Sequence, residues 1–389
     1  MIFPVFIVFL SSFLLTWLSI PVIVRISYAK SLFDQPGQRK INKVAVPNLG
    51  GVAIFIGIVI STLLGSTSSV SPDYQYLLTA IVVMFFIGLK DDILIIAPVK
   101  KLGIQFLVAV MLVVMGRFHL TQLYGLGFIS SLDNWLSFPV SLLFILFLVN
   151  SINLIDGIDG LAGGITMFVF TVLGVWFSLS GYLNYSIICF ASVGSLLAFL
   201  RFNLWGHDNK IFMGDTGSLI LGVIVSAMAI QFNEFNGTVT SGYHFPQAPV
   251  ILFALLIVPV SDTLRVFIVR ICQKRSPFSP DMNHIHHMLV KCGLSHFQAS
   301  SGLVLYTVVF FLLAFILQQY ISITLNFAVL LSLDFMSIGL LCKRKKQVQV
   351  TDALKAQLAV KEEVTTIQIP YKSGQNLPLI LNRVREPVD

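Results

Sequence analysis

Charge is what this sequence lacks. Only 11% of its 389 residues are Asp, Glu, Lys or Arg, while 56% are hydrophobic. A soluble domain carries roughly 25% charged residues, so a water-coated globule is excluded and most of the surface must face lipid. Cysteine is scarce as well: Cys189, Cys272, Cys292 and Cys342 show no Cys-x-x-Cys spacing. That excludes a disulfide scaffold and leaves free thiols. There is no His-Glu-x-x-His motif, no internal repeat and no low-complexity tract. The net charge of +7 would suggest nucleic acid in a soluble chain. In a lipid-facing chain basic residues mark the cytoplasmic side, so no nucleic-acid partner is expected.

What the chain has in quantity is long apolar sequence. Crossing ~30 Å of hydrocarbon takes about 20 residues, and eleven runs meet or approach that length: 2–24, 47–66, 75–90, 102–116, 136–150, 162–180, 185–200, 216–231, 248–269, 302–319 and 321–341. The expected fold is an all-α polytopic membrane protein with about eleven transmembrane helices in residues 1–342. Residues 343–389 form a polar cytoplasmic tail with no periodic hydrophobic pattern. The first run lacks a basic leading segment and is too long for a cleavable signal, so it is expected to stay in the mature chain. Of the 25 Lys and Arg, all but Arg117 fall after odd-numbered runs or in the tail. By the positive-inside rule the N-terminus lies outside and the C-terminus in the cytoplasm.

The informative acids follow odd-numbered runs too: Asp34, Asp91, Asp92, Asp156, Asp159, Asp208, Asp215, Asp262 and Asp281. A charge near hydrocarbon is costly unless paired, so acids gathered at one face imply a shared cation or a polar cavity. Local pairing is the plain alternative, with Lys90 beside Asp91 and Lys210 near Asp208. It does not extend to 150–161, which holds Asp156 and Asp159 but no Lys or Arg. Asp334, inside the last run, has no functional reading.

Four segments carry candidate chemistry. Asn150-x-x-Asn153-x-x-Asp156-Gly157-x-Asp159-Gly160 keeps polar groups on nearly one helical face until glycines open the backbone. Phe212-Met-Gly214-Asp215-Thr-Gly217-Ser218 leads into the eighth run; its glycines let backbone approach a ligand, Asp215 suits a hard cation, and a helix N-terminus favours phosphate. After the ninth run come Arg270, Lys274, Arg275, Ser276-Pro-Phe-Ser-Pro-Asp281 and His284-Ile-His286-His287. Three histidines in four residues invite zinc, but no cysteine accompanies them, and imidazoles with guanidiniums hold phosphate and sugar oxygens equally well. The first loop adds Arg39, Lys40 and Lys43 ahead of Gly50-Gly51.

Taken in order from about residue 34 to 290, these segments resemble the polyprenyl-phosphate N-acetylhexosamine-1-phosphate transferases, the glycosyltransferase 4 family. The motifs are Asp-x-Pro-x-x-Arg-Lys with Pro-x-x-Gly-Gly, the Asp-Asp pair, Asn-x-x-Asn-x-x-Asp-Gly-x-Asp-Gly, Met-Gly-Asp-x-Gly-Ser, and Ser-Pro-Phe-Ser-Pro-Asp before His-x-His-His. The last form is similar to the bacterial branch that uses UDP-N-acetylglucosamine, rather than the branch that transfers phospho-MurNAc-pentapeptide. The resemblance implies transfer of HexNAc-1-phosphate from a UDP-N-acetylhexosamine to undecaprenyl phosphate, releasing UMP, with Mg²⁺ as cofactor and Mn²⁺ as a substitute. The setting it implies is the lipid bilayer of the bacterial inner membrane, with the active site facing the cytoplasm and a homo-oligomer allowed. Polymers initiated in this way include O-antigen, enterobacterial common antigen and teichoic acid.

The resemblance also implies residue roles. Asp91, Asp92, Asp156 and Asp159 are catalytic candidates, and Asp215 with Asp91 the metal ligands. Asn153, Phe212, Arg270, His284, His286, His287 and Lys43 bind substrate, Phe212 by stacking on uracil. Three departures stand out: Asn42 replaces a frequent His, Met282 a basic residue, and Asp91-Asp92 lacks a third acid downstream. The first two leave the donor sugar open. A secondary transporter is the alternative from another class, although transporters place polar groups near the bilayer midplane instead of at one set of helix ends.

Overall fold

The computed structural model describes residues 2–32, 46–66, 72–94, 96–239, 242–275 and 284–366, with Ile2, Lys346 and residues 348–366 described by backbone alone. Lys43 and the rest of 33–45, and 276–283 with Asp281 and Met282, lie outside them. The chain divides into two compact units, Met1–Cys342 and Lys343–Asp389.

Apolar sequence all round a helix means burial or lipid on every side, and each of the eleven runs coincides with helix. In chain order the first unit contains α1 (Ile2–Ala29), α2 (Gly50–Gly65), α3 (Pro72–Leu94), α4 (Pro98–Val114), α5 (Asn134–Ile155), α6 (Leu161–Leu179), α7 (Leu183–Trp205), α8 (Gly214–Asn236), α9 (Ala248–Leu255), α10 (Ile257–Cys272), the short α11 (Ile285–Lys291), α12 (His296–Leu317) and the start of α13 (Ile323–Thr366). Seven of these are long and apolar enough to cross a bilayer, or eight when α9 and α10, bent by 76° at their junction, count as one span. The protein is therefore a multi-pass membrane protein. α2 and α4 are shorter, at 16 and 17 residues, and α3 carries Asp73, Lys90, Asp91 and Asp92.

One feature departs from the all-α expectation: the connection between α4 and α5 contains a small antiparallel hairpin, β1 (Gln122–Leu126) with β2 (Ile129–Ser131). In the tail, α13 runs on to Thr366.

α8 is the hub. It touches α2, α3, α5, α6 and α9 and is the most buried of the spans, at 89% against 22% for α13. At its C-terminal end Glu234 accepts hydrogen bonds from the Thr121 and Gln122 backbone N–H groups and from the Thr121 hydroxyl, which ties the hairpin segment down. At its N-terminal end two strands of backbone meet: Gly50 N–H donates to Phe212 O at 2.9 Å, Gly51 N–H to Met213 O at 2.8 Å, and Phe212 N–H to Pro47 O at 2.8 Å. So close an approach needs glycine, since a Cβ on Gly51 would lie 2.1 Å from the Gly217 nitrogen.

That contact can be tested. Gly51→Ala forces α2 off α8 and should destabilise the folded protein by about 1–3 kcal/mol, the usual cost of overpacking. Gly103→Ala, inside α4 where the new methyl meets nothing within 4 Å, should leave the melting temperature of the detergent-solubilised protein unchanged or slightly raised, alanine being the better helix former. Equal melting temperatures for the two variants would contradict the close packing.

Candidate active site

The site is built around the first turn of α8. Gly214 has φ +70°, a left-handed conformation that favours glycine, and it turns the chain so that the next amides point at the end of α3. There Asp92 accepts from the Asp215 N–H at 2.8 Å, the Thr216 N–H at 2.9 Å and the Thr216 hydroxyl. Helix N-termini leave such donors unsatisfied, and a carboxylate from another helix caps them here.

Asp91, one residue earlier, points elsewhere. Its Oδ1 accepts from Ile96 N–H at 2.6 Å, and its Oδ2 lies 3.0 Å from Lys101 Nζ, which also lies 2.9 Å from Asp215 Oδ1. One ammonium thus bridges the two carboxylates expected to hold a metal. Asn153, on the last turn of α5, donates to Asp215 Oδ1 and, at 2.8 Å, to Ser218 Oγ. Asp91, Asp92, Asn153 and Asp215 therefore form one bonded cluster at the ends of α3, α5 and α8.

Asp156 and Asp159 sit in the turn between α5 and α6. No side chain among the described residues bonds the Asp156 carboxylate. Its pKa is pushed up to about 8, first by loss of solvent and then by the charges of Asp215, Asp92 and Asp159. Asp159 behaves oppositely. Burial opposes its charge, yet His296 and Lys210 hold its pKa below the usual carboxylate range, with Lys210 Nζ at 2.7 Å and His296 Nδ1 at 3.8 Å. The same ammonium stands 5.7 Å from the centre of the Phe212 ring. Asn203 fixes the turn by accepting from Gly160 N–H at 2.7 Å and donating to Ile211 O at 3.0 Å.

The histidines reach this turn from α11. His284 and His286 are buried with their rings stacked at 5.7 Å, and the His287 ring lies edgewise or tilted to them at 6.5 and 4.3 Å. A Cβ on Gly157 would lie 2.3 Å from His286 Nε2, so that glycine leaves room for the ring. Burial, then the neighbouring His287, depresses the His286 pKa to about 3, and the ring is neutral near pH 7. Neither of its nitrogens has a hydrogen-bond partner among the described residues. Arg270 is buried in α10. Among the described residues no group of three or more His, Cys, Asp or Glu has metal-holding geometry.

Asp91 and Asp208 do not pair with their neighbours in sequence. Asp91 meets Lys101 and not Lys90, while Lys210 meets Asp159 and not Asp208, so the segment without a basic residue of its own borrows one from 51 positions away. Lys101 looked like topology-setting charge, and its position one helical turn into α4 gave no further sign. Thr216, Ser218, Asn203 and His296 were given no role, since single polar residues near helix ends carry no spacing signal. Asp262 was noticed as a membrane-end acid and nothing more.

Helix-end acids and amides gathered around the start of a buried helix, in a multi-pass membrane protein, make one polar, acid-rich site. Residues 74–233 match the family model described as glycosyl transferase family 4. A protein of Bacillus subtilis (strain 168) named probable undecaprenyl-phosphate N-acetylglucosaminyl 1-phosphate transferase is 33% identical over 343 residues, covering 85% of this chain and 89% of its own length. The undecaprenyl-phosphate alpha-N-acetylglucosaminyl 1-phosphate transferase of Escherichia coli (strain K12) is 30% identical over 75% of this chain and 77% of its own, and that of Yersinia pestis 28% identical over 69% and 72%. The chain belongs to glycosyl transferase family 4, in the branch of the undecaprenyl-phosphate N-acetylglucosaminyl 1-phosphate transferases.

The Asp156 environment yields a pH signature. An acid with a pKa of about 8 when folded and about 3.9 when unfolded keeps its proton only in the folded protein between those values. Its contribution to stability is present below about pH 4 and is lost as pH rises toward 8. Without divalent cations, Asp156→Asn should therefore melt higher than wild type at pH 8, with the gap shrinking toward pH 5. An equal gap at both pH values would contradict the assignment.

Proposed function

We propose that this protein transfers N-acetylhexosamine-1-phosphate, with UDP-N-acetylglucosamine as the donor of choice, to undecaprenyl phosphate, giving undecaprenyl-diphosphate-HexNAc and UMP and so initiating a cell-surface polysaccharide. One observation carries the reading: Asp91, Asp92, Asn153 and Asp215 converge at the N-terminus of α8, with the Asp156 turn beside them, in a chain whose relatives bear that activity in their names. The proposed setting is the bacterial inner membrane, crossed eleven times, with the N-terminus outside and the site and C-terminus in the cytoplasm, where the nucleotide donor is found.

The acceptor needs little activation. A phosphate monoester has a second pKa of about 6, so the lipid phosphate is largely ionised near neutral pH. Its oxygen attacks the β-phosphorus of the UDP-sugar, the bond from that phosphorus to the bridging oxygen breaks, and UMP leaves with the electron pair. The obstacle is repulsion between anions, and positioning with charge neutralisation is what such a displacement requires. Lys101 supplies a fixed positive charge between Asp91 and Asp215, and the acids still outnumber the bases, with the Asp156 pKa pushed up by burial and by the charges of Asp215, Asp92 and Asp159, so the set suits a further cation. Mg²⁺ is bound through one or two carboxylates plus substrate phosphates, so Asp91 and Asp215 would hold it, and when bound it neutralises the diphosphate. Phe212 offers a ring for the uracil, with Lys210 anchored to Asp159 beside it. The neutral His286 offers one donor and one acceptor, suited to sugar hydroxyls more than to phosphate charge. His284, His287 and Arg270 complete the donor half.

The test is chemical. Purified protein in nanodiscs is incubated with undecaprenyl phosphate, Mg²⁺ and a panel of UDP-sugars, and lipid products and UMP are measured. UDP-N-acetylglucosamine should give the most product, EDTA should abolish it, and Asp215→Asn should lower turnover by orders of magnitude while the protein still inserts. Phe212→Ala should weaken inhibition by UMP by roughly 1–3 kcal/mol, the scale of base stacking. A fully active Asp215→Asn protein would sink the metal role, and no UMP with any donor would sink the reaction.

A further inference from the structure

The donor half of the site depends on a residue that touches neither the carboxylate cluster nor the Asp156 turn. Asp262, on α10, is 1% exposed. Its Oδ1 accepts from the Ile285 backbone N–H at 2.9 Å and from Arg265 Nη2 at 2.8 Å, and its Oδ2 from His284 Nδ1 at 2.9 Å. The first turn of α11 is thereby fixed to α10 through both a backbone amide and a side chain. α10 is itself braced, since the neighbouring Ser261 hydroxyl donates to Asp334 Oδ1 at 3.3 Å and Tyr306 donates to the same oxygen at 2.9 Å. From the other side, the missing side chain of Gly157 admits the His286 ring to the Asp156 turn.

We propose that Asp262 is a positioning residue that clamps the His284–His287 turn onto the Asp156–Gly160 turn, so that the carboxylate sets the donor-sugar contacts without touching the donor. Accepting from Nδ1 selects one tautomer of His284 and leaves Nε2 for other partners, as outer-shell carboxylates do for metal-bound histidines. A buried carboxylate holding a backbone amide, a guanidinium and an imidazole cannot shift without moving all three. The inference rests on the assignment of the histidines to the donor half, but the clamp can be measured apart from it.

The experiment compares Asp262→Asn, Gly157→Ala and the double variant in nanodiscs, following kcat, donor KM, inhibition by UMP, and hydrogen exchange across residues 284–291. Both single variants should raise the donor KM by about tenfold or more, the scale of losing an outer-shell partner, with UMP inhibition within about twofold of wild type. Asp262→Asn should speed exchange in 284–291, and the double variant should be little worse than the worse single, because both disturb one docking contact. A protein that merely folds less well would lose active fraction with the donor KM unchanged. Unchanged exchange in Asp262→Asn, equal loss of UMP binding, or independent additive effects would each overturn the clamp. Faster exchange with unchanged donor kinetics would keep the clamp and overturn the donor role of the histidines instead. Should Asp262→Asn fail to fold, Gly157→Ala reads the same contact from the opposite side.

Discussion

The first amides of α8 have no carbonyl of their own helix to bond, and at the edge of a lipid-facing fold a buried donor left bare costs about 1–3 kcal/mol. Asp92 meets that need from the last turn of α3. Much of the site follows from this one bond set. It joins α3 to the most buried of the described spans, it uses the turn that Gly214 makes at positive φ, and it leaves Asp215 facing Lys101 and Asn153. It also separates two adjacent acids by role. Asp92 spends its oxygens on the helix end, while Asp91 faces the ammonium.

A second consequence concerns charge. Asp91, Asp92, Asp156, Asp159 and Asp215 cannot all ionise cheaply so close together in a medium with little water. The structure divides the load: Asp159 is held ionised by Lys210 and His296, Lys101 serves Asp91 and Asp215, and Asp156 retains its proton to about pH 8. That division of charge is what the proposed cation and phosphate-bearing substrate would meet. His286 is neutral and buried, with both nitrogens unpartnered among the described residues.

How much of this was legible follows from range. The helices were, because apolar length is a local property, and all eleven runs became helix. The Asn153-to-Gly160 and Phe212-to-Ser218 segments were, because glycine, amide and carboxylate at short spacing state their chemistry within a dozen residues. The partners were not. Lys101, Lys210 and His296 reach their acids across 10 to 137 positions of sequence, and nothing local marks them. Asp262 looked like any acid at a helix end until the fold brought Ile285 and His284 to it. The hairpin of 122–131 was hidden for another reason, since strands of five and three residues are too short to carry a pattern of their own.

The central claim is that the bond broken lies between the two phosphorus atoms of the donor, so that the sugar travels with its phosphate. UDP-N-acetylglucosamine labelled with ³²P at the β-phosphate, incubated with the purified protein, Mg²⁺ and undecaprenyl phosphate, tests it directly. The account predicts that the label appears in the lipid diphosphate and that the released nucleotide is unlabelled UMP. Label remaining in a released UDP, with sugar on the lipid, would mean a simple glycosyl transfer and would contradict it.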